Sequence, residues 1–331
     1  MIEHSHVPER GARPGADALG ASARAGAGPS LSVIVFVLNA VDTIRCALES
    51  VTSADQPPVE LLVLDGGSTD GTVDIIREFA PKIAYWRSYR DGSAVVALNE
   101  GVARATGDVI CLLPADDWLE RGALNLVRDE FRKDPKLEVL TCGTRVVRLA
   151  PGGDLVIDAE FTDRQVLEFT MANIVRFPLT TGRFLRRRLY NAVGTFDSQL
   201  GISNDLDFLI RVLLTRPHAR VVPRAVVNYR QHPGSRTLGG NPAMMLELRR
   251  DFVRLAERHL SDTRLSADER HALLDLHGRS SARLAWLLLR LGRVGAAGSA
   301  LARATRLNHL FPAMIPIWYA LMILRRGRPS P

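Results

Sequence analysis

Cysteine is scarce in this 331-residue chain and never paired: Cys46, Cys111 and Cys142 form an odd set without CxxC spacing, each in an apolar stretch. That excludes a disulfide framework and predicts buried free thiols in a reducing compartment. Lysine is scarcer still for its usual share, at Lys82, Lys133 and Lys136 only, so arginine carries the formal charge of +7. Residues 241–331 hold fifteen arginines against seven acidic residues, and the rest of the chain is close to neutral. Those arginines follow helical periodicity and aromatics make up only 6% of the chain, which argues against a nucleic-acid face. No apolar run reaches the roughly twenty residues that a bilayer span needs. The longest, 310–324, has fifteen residues and is broken by Pro312 and Pro316. The first thirty residues lack an apolar core as well, so they read as a disordered lead and not as a signal peptide.

Two nucleotide motifs are missing. Neither GxGxxG nor GxxxxGK[ST] occurs at any strand end, which removes the usual dinucleotide fingerprint and the P-loop. An EF-hand register on Asp70-Gly71 would put Gly66 at the first ligand position and Arg77 at the closing glutamate, so that reading fails too.

What the chain does contain is a series of β/α units. Leu31–Leu38 is an apolar, β-branched run of the kind buried on both faces. Asn39 ends it, and apolar positions 44, 47, 48 and 51 predict a helix with Asp42 as its cap. A second strand over 60–64, a helix from 73, a strand over 83–86, a helix over 93–105 and a strand over 109–113 follow. Asp116 or Thr69 and Asp70 are placed to cap helices, the first for a helix over 118–128. The alternation predicts an α/β, Rossmann-like, doubly wound and mostly parallel sheet. In such sheets ligands bind at the carboxyl ends of the strands, where Asn39, Asp65–Asp70, Asp91-Gly92 and Asp116-Asp117 would gather. A loop such as DGGSTDGT is alone only a turn. Several carboxylate loops at one sheet end, with no Gly-rich phosphate cradle, point to a nucleotide whose diphosphate is neutralised by a metal ion.

The segments SVIVFVLNAVDTIRCALESV, LLVLDGGSTDGTVDIIREFAPKIAYWRS, RDGSAVVALNEGVARATGDVICLLPADDW and LRRRLYNAVGTFDSQLGISNDLDFLIRVLL, in that order, resemble family 2 glycosyltransferases of the GT-A fold over about residues 31–236. The resemblance implies transfer of a sugar from a nucleotide-diphosphate donor with inversion, assisted by Mg²⁺ or Mn²⁺. On it, Asp117 is the metal ligand, with Asp116 on the donor, and Asp205 is the base that takes the acceptor's proton. The segment YRQHPGSRT closes over the diphosphate, with His232 on the metal or phosphate and Arg230 and Arg236 on the phosphates. Asn39, Asp65, Gly66 and Asp91 meet the nucleoside. Asp207 matches a further family aspartate, but its spacing from Asp205 turns it to another side of the helix, where a salt-bridging role is the simpler reading. The sequence departs from the family pattern at Gly66, where a second aspartate is frequent, at Val96 and Pro114, and at Asn204 in place of a glutamate.

The implied domain layout is a lead over 1–30, a catalytic domain over 31–240, a helical extension over 241–309 and an apolar, basic tail over 310–331. Helices are predicted from Met244 to Leu260, Leu273 to Leu291 and Ala296 to Leu307, the last two as a hairpin that caps the catalytic domain. Trp318, Tyr319 and the arginines at 325, 326 and 328 suit an interfacial contact through 310–328. The expectation is a cytoplasmic enzyme touching the inner face of the plasma membrane, with a saccharide or lipid-linked acceptor and a part in bacterial cell-surface polysaccharide or glycolipid assembly. A tail folded on its own protein or on a second subunit stands beside it. Two rival functions are a non-catalytic nucleotide-sugar binder of the same fold and a nucleotidyltransferase. The latter wants a Gly- and Lys/Arg-rich loop after its first strand, where this chain has Asn39-Ala40-Val41-Asp42.

Overall fold

The computed structural model describes residues 28–150, 152–177, 180–232, 242–309 and 311–312. Nearly all of the expected lead, Arg236, and most of the 310–328 segment lie outside these residues.

The first half alternates as expected: β1 (Leu31–Val37), α1 (Ile44–Thr52), β2 (Glu60–Asp65), α2 (Thr72–Phe79), β3 (Tyr85–Ser88), α3 (Ala94–Arg104) and β4 (Val109–Pro114). Then come β5 (Trp118–Leu119), α4 (Ala123–Lys133), β6 (Val139–Leu149), β7 (Leu155–Phe161), α5 (Arg164–Leu167), α6 (Met171–Arg176), β8 (Arg183–Arg186), α7 (Arg187–Val193), α8 (Asn204–Leu213) and β9 (Ala219–Arg230). One sheet runs in the order β3-β2-β1-β4-β8-β6-β9-β5, with β7 on β6. The first four strands are parallel, β8 runs against both its neighbours, and β9 is again parallel to β6.

Both faces are covered, which is why β1 reads as an unbroken apolar run. Alternate residues of β1 serve the two sides: Val33 and Val35 pack with Ile44 and Leu48 of α1 and Val127 and Phe131 of α4, while Ile34 packs with Leu98 of α3 and Leu209 of α8. The sheet is therefore doubly wound. Helix α3 lies so close that a Cβ on Gly101 would stand 2.5 Å from Ile34 Cγ2.

Three local expectations are corrected. Asp42 caps nothing; α1 begins two residues later behind Thr43, whose side chain makes no capping bond, and its first turn is closed by the Ala40 carbonyl. The strand expected over 83–86 sits at 85–88, in parallel register with Leu62–Asp65. The helix expected over 118–128 starts only at Ala123, so Asp116 is not its cap. Trp118 and Leu119 pair with Asn228 and Val227 of β9 instead, and the helix starts at Ala123 after Gly122 takes a φ of +69°. Tertiary strand pairing overrides the local helical pattern here.

The last described helices are α9 (Pro242–Leu260), α10 (Ala267–Arg290) and α11 (Val294–Leu307). Helix α10 starts earlier than its apolar pattern suggests because Ser266 and Glu269 form a reciprocal capping box. Leu248, Phe252 and Leu255 of α9 and Leu273 and Leu276 of α10 join the same apolar cluster as Ile34 and Leu209, so these helices cap the sheet domain. A buried polar clamp fixes the joint. Asp207 of α8 accepts from Arg211 Nε at 2.8 Å and contacts His259 Nε2 of α9 at 2.9 Å. Asp207 is thus the salt-bridging carboxylate of the simpler reading. Burial alone raises its pKa, but the His259 hydrogen bond and the Arg211 charge outweigh that and hold it below the usual range. Asp207→Ala leaves Arg211 and His259 facing a void and is expected to cost about 3–5 kcal/mol in urea unfolding at neutral pH. Because the folded pKa is depressed, the wild-type advantage is present above the unfolded carboxylate pKa and fades as pH falls through the folded one. A difference that persisted undiminished well below both values would contradict the charge argument.

Candidate active site

The strand order reverses between β1 and β4: the chain moves outward through β2 and β3, then returns to place β4 on the other side of β1. The crevice at the carboxyl ends of these two strands is where open α/β sheets hold ligands. Asn39 follows β1 and Asp116-Asp117 follow β4, so both flank it.

The loop after β2 is held by its own side chains. Asp65, fully buried, accepts from Gly67 N at 3.0 Å, Ser68 N at 2.9 Å and Ser88 Oγ at 2.6 Å, and its other oxygen accepts from Ser68 Oγ. Gly67 sits at φ +88°, and a Cβ there would stand 2.9 Å from Arg90 N, so glycine is required. The loop is tied to the end of β1: Asn39 N donates to Ser68 Oγ at 2.7 Å, and Asn39 Oδ1 accepts from Thr69 N at 2.9 Å. Asp70 accepts from Thr72 N and from Val41 N, but the N-cap of α2 is Gly71 at φ +100°, so neither Asp70 nor Thr69 is the cap residue the sequence suggests. Gly66 faces Asp91: a Cβ on it would lie 3.3 Å from Asp91 Oδ1. Asn39, Asp65, Gly66 and Asp91 therefore come together.

Their organiser is Arg87, which the sequence reading missed because its strand stopped one residue short. The buried guanidinium donates to Asp91 Oδ2 and to Glu100 Oε2, each at 2.9 Å, and to the Asp65 carbonyl. An arginine inside an aromatic strand was the available signal. Arg87→Leu is expected to destabilise the protein by about 3 kcal/mol, because two carboxylates lose their buried partner. Chemical denaturation checks it, and a change under about 0.5 kcal/mol would remove Arg87 as the hub.

Beyond β4, Asp116 and Asp117 take different environments. Asp116 is half exposed and its Oδ2 lies 3.2 Å from His232 Nε2. Asp117 is 1% exposed. Its Oδ1 accepts from Arg230 N at 3.0 Å, and its buried Oδ2 has no hydrogen-bond partner among the described residues. Burial, then repulsion from Asp116, push its pKa well above the usual carboxylate range, against the opposing pull of Arg230. A buried carboxylate oxygen with no protein partner fits a cation ligand. Among the described residues no three His, Cys, Asp or Glu side chains form a ready-made cage. A hard divalent ion on a nucleotide needs only one or two carboxylates, since phosphates and water fill the other positions. Arg230 contributes its backbone N–H here; its guanidinium lies over the Trp118 ring, 5.0 Å from the centroid.

Asp205 opens α8, where its Oδ1 accepts from Leu206 N at 2.7 Å. Asn204, just before it, donates through its amide to the Leu200 and Gly201 carbonyls, at 3.4 and 3.3 Å. A glutamate could not donate, so the departure at 204 supports the turn that presents Asp205. Arg183, at the start of β8, interacts electrostatically with Asp205. Because β8 runs against β4, its start lies at the carboxyl end of β4, the end that carries Asp117.

Residues 32–194 match the model for Glycosyl transferase family 2. These residues form a domain of that family. This glycosyltransferase is 29% identical over 191 residues to a PGL/p-HBAD biosynthesis glycosyltransferase of Mycobacterium bovis (strain BCG / Pasteur 1173P2), covering 56% of this chain and 70% of the relative. It is 29% identical over 118 residues to the poly-beta-1,6-N-acetyl-D-glucosamine synthase of Staphylococcus epidermidis, covering 35% of this chain and 29% of that one. Its fold is similar to that of S. aureus TarS 1-349 solved with UDP-GlcNAc, with TM-score 0.53, 18% identity, and coverage of 82% and 88% of the two chains. It is also similar to the mannosyltransferase PcManGT of Pyrobaculum calidifontis solved with GDP-Man and Mn2+, with TM-score 0.54, 20% identity, and coverage of 89% and 81%. The GT-A α/β arrangement and the helices that follow it agree with these neighbours. Among the described residues no helix is long and apolar enough to cross a membrane.

Proposed function

We propose that this family 2 glycosyltransferase moves a sugar from a nucleotide-diphosphate donor to an acceptor hydroxyl with inversion, using Mg²⁺ or Mn²⁺. The observation that carries the reading is Asp117, a buried carboxylate with one unpartnered oxygen at the strand crevice, at the same sheet end as Asp205. Asp117 would hold the ion, with His232 and Asp116 beside it; when bound, the ion neutralises the charge of the departing diphosphate. Asn39, Asp65, Gly66 and Asp91 form the nucleoside wall, with Asp65 shaping the loop through its own hydrogen bonds. Asp205 takes the acceptor's hydroxyl proton as the acceptor oxygen bonds to the anomeric carbon and the bond to the diphosphate breaks.

The mycobacterial and staphylococcal relatives support a role in glycan or glycolipid assembly, with a saccharide or lipid-linked acceptor. The basic, apolar segment 310–328 supports a peripheral contact at the cytoplasmic membrane face. Nucleotide release from a panel of UDP-, GDP- and dTDP-sugars tests the reading: at least one donor is expected to turn over, and Asp205→Asn to lose that turnover while still binding it. Binding without turnover of any donor would favour a non-catalytic nucleotide-sugar binder.

A further inference from the structure

Arg183 has no part in the assignments above, yet its environment is unlike that of a structural arginine. It opens β8, directly across from Thr141 of β6, on the same side of the strand as Leu185. The residue is 6% exposed. Its Nη2 donates to the Phe177 carbonyl at 3.5 Å, while Nε and Nη1 are buried with no hydrogen-bond partner among the described residues. Thr141 Oγ1 is buried and unpartnered as well. Arg183 and Thr141 line one small, partly open pocket, together with Thr144, Leu167 and the tilted ring pair Phe161 and Phe177.

A guanidinium desolvated this far with two donor nitrogens unpaired is a costly arrangement for a core. Burial lowers its pKa to about 10, and the neighbouring Asp205 acts the other way. Arg183 donates no hydrogen bond to Asp205, so an Asp205 ion pair does not satisfy it. The unpaired guanidinium nitrogens are donors, which excludes a cation. The diphosphate is proposed for the β1/β4 crevice, whereas no residue of β1 or β4 lines this pocket.

We propose that this pocket is an acceptor subsite for an anionic oxygen group, a sugar carboxylate or a phosphate ester, seated on the Arg183 guanidinium and the Thr141 hydroxyl, with the sugar against Phe161 and Phe177. The proposal rests on Asp205 being the base, since proximity to Asp205 is what puts the pocket on the acceptor side. A neutral sugar would leave the charge unpaired, so the subsite selects for negative charge.

The test is thermal melting of the full-length protein with methyl glucuronide, methyl glucoside 6-phosphate or neutral methyl glucoside at equal concentration, on wild type, Arg183→Met and Thr141→Val. At least one anionic sugar is expected to raise the wild-type midpoint by roughly 3 °C, with no rise from the neutral one. The response is expected to vanish in Arg183→Met and to shrink in Thr141→Val, and which anion acts separates carboxylate from phosphate. Without ligand, Arg183→Met should melt at or above wild type, because an unpaired buried charge is gone. Equal responses to all three sugars, a response that survives in Arg183→Met, or a markedly lower midpoint for ligand-free Arg183→Met would overturn the proposal. Stabilisation by nucleotide diphosphate with Mn²⁺ does not involve this pocket, so the donor reading stands or falls separately.

Discussion

Asp205→Asn is expected to lower kcat for sugar transfer by about 10³-fold, within the range a positioned general base contributes. Asparagine has nearly the same shape, and its Oδ1 can still accept from Leu206 N as Asp205 does. The helix start is therefore kept and only proton acceptance is lost. Donor KM should stay within about threefold, because the nucleoside wall and Asp117 are on other elements. A variant that kept more than about a tenth of wild-type kcat would place the base elsewhere.

The second large effect is at Asp117, and it runs in opposite directions for stability and activity. Replacing its carboxylate by the amide in Asp117→Asn would preserve the acceptor for Arg230 N, which Asp117 Oδ1 provides now. It would remove a desolvated negative charge whose Oδ2 has no partner and whose neighbour is Asp116. With EDTA present, Asp117→Asn is expected to be about 1–2 kcal/mol more stable than wild type in urea unfolding. With metal and donor present, kcat/KM should fall by about 10³-fold, since a lost charge ligand weakens the ion's hold on the diphosphate. Loss of stability together with retained activity would mean that Asp117 is a structural carboxylate.

Much of this architecture was legible in the sequence because it is local. The apolar runs of β1, β2 and β4 announce strands buried on both faces, and glycines and aspartates mark where each strand ends. That is enough to gather Asn39, Asp65, Asp91 and Asp116-Asp117 at one sheet end. What the sequence left out is set by distant partners. Trp118-Leu119 became a strand because β9 offers Asn228 and Val227, about 110 residues away, an influence no local pattern carries. Arg87 looks like one more surface arginine in a chain with forty; only folding brings Asp91, Glu100 and the Asp65 carbonyl around it. Asn204 read as a missing charge, whereas its amide supports the turn before α8. Residues that hold a site together are chosen by three-dimensional neighbours; those that terminate strands are written in the chain.

A metal-assisted nucleotide-diphosphate site is what these loops are proposed to form. The most direct test is the melting midpoint of wild type and Asp117→Ala with UDP, GDP, dTDP or, as control, CMP, each with and without Mn²⁺. A rise of several degrees is expected with one diphosphate, dependent on Mn²⁺ and lost in Asp117→Ala, as a ligand well above its Kd adds a few kcal/mol. No shift with any nucleotide, or one that ignores both the metal and the substitution, would contradict it.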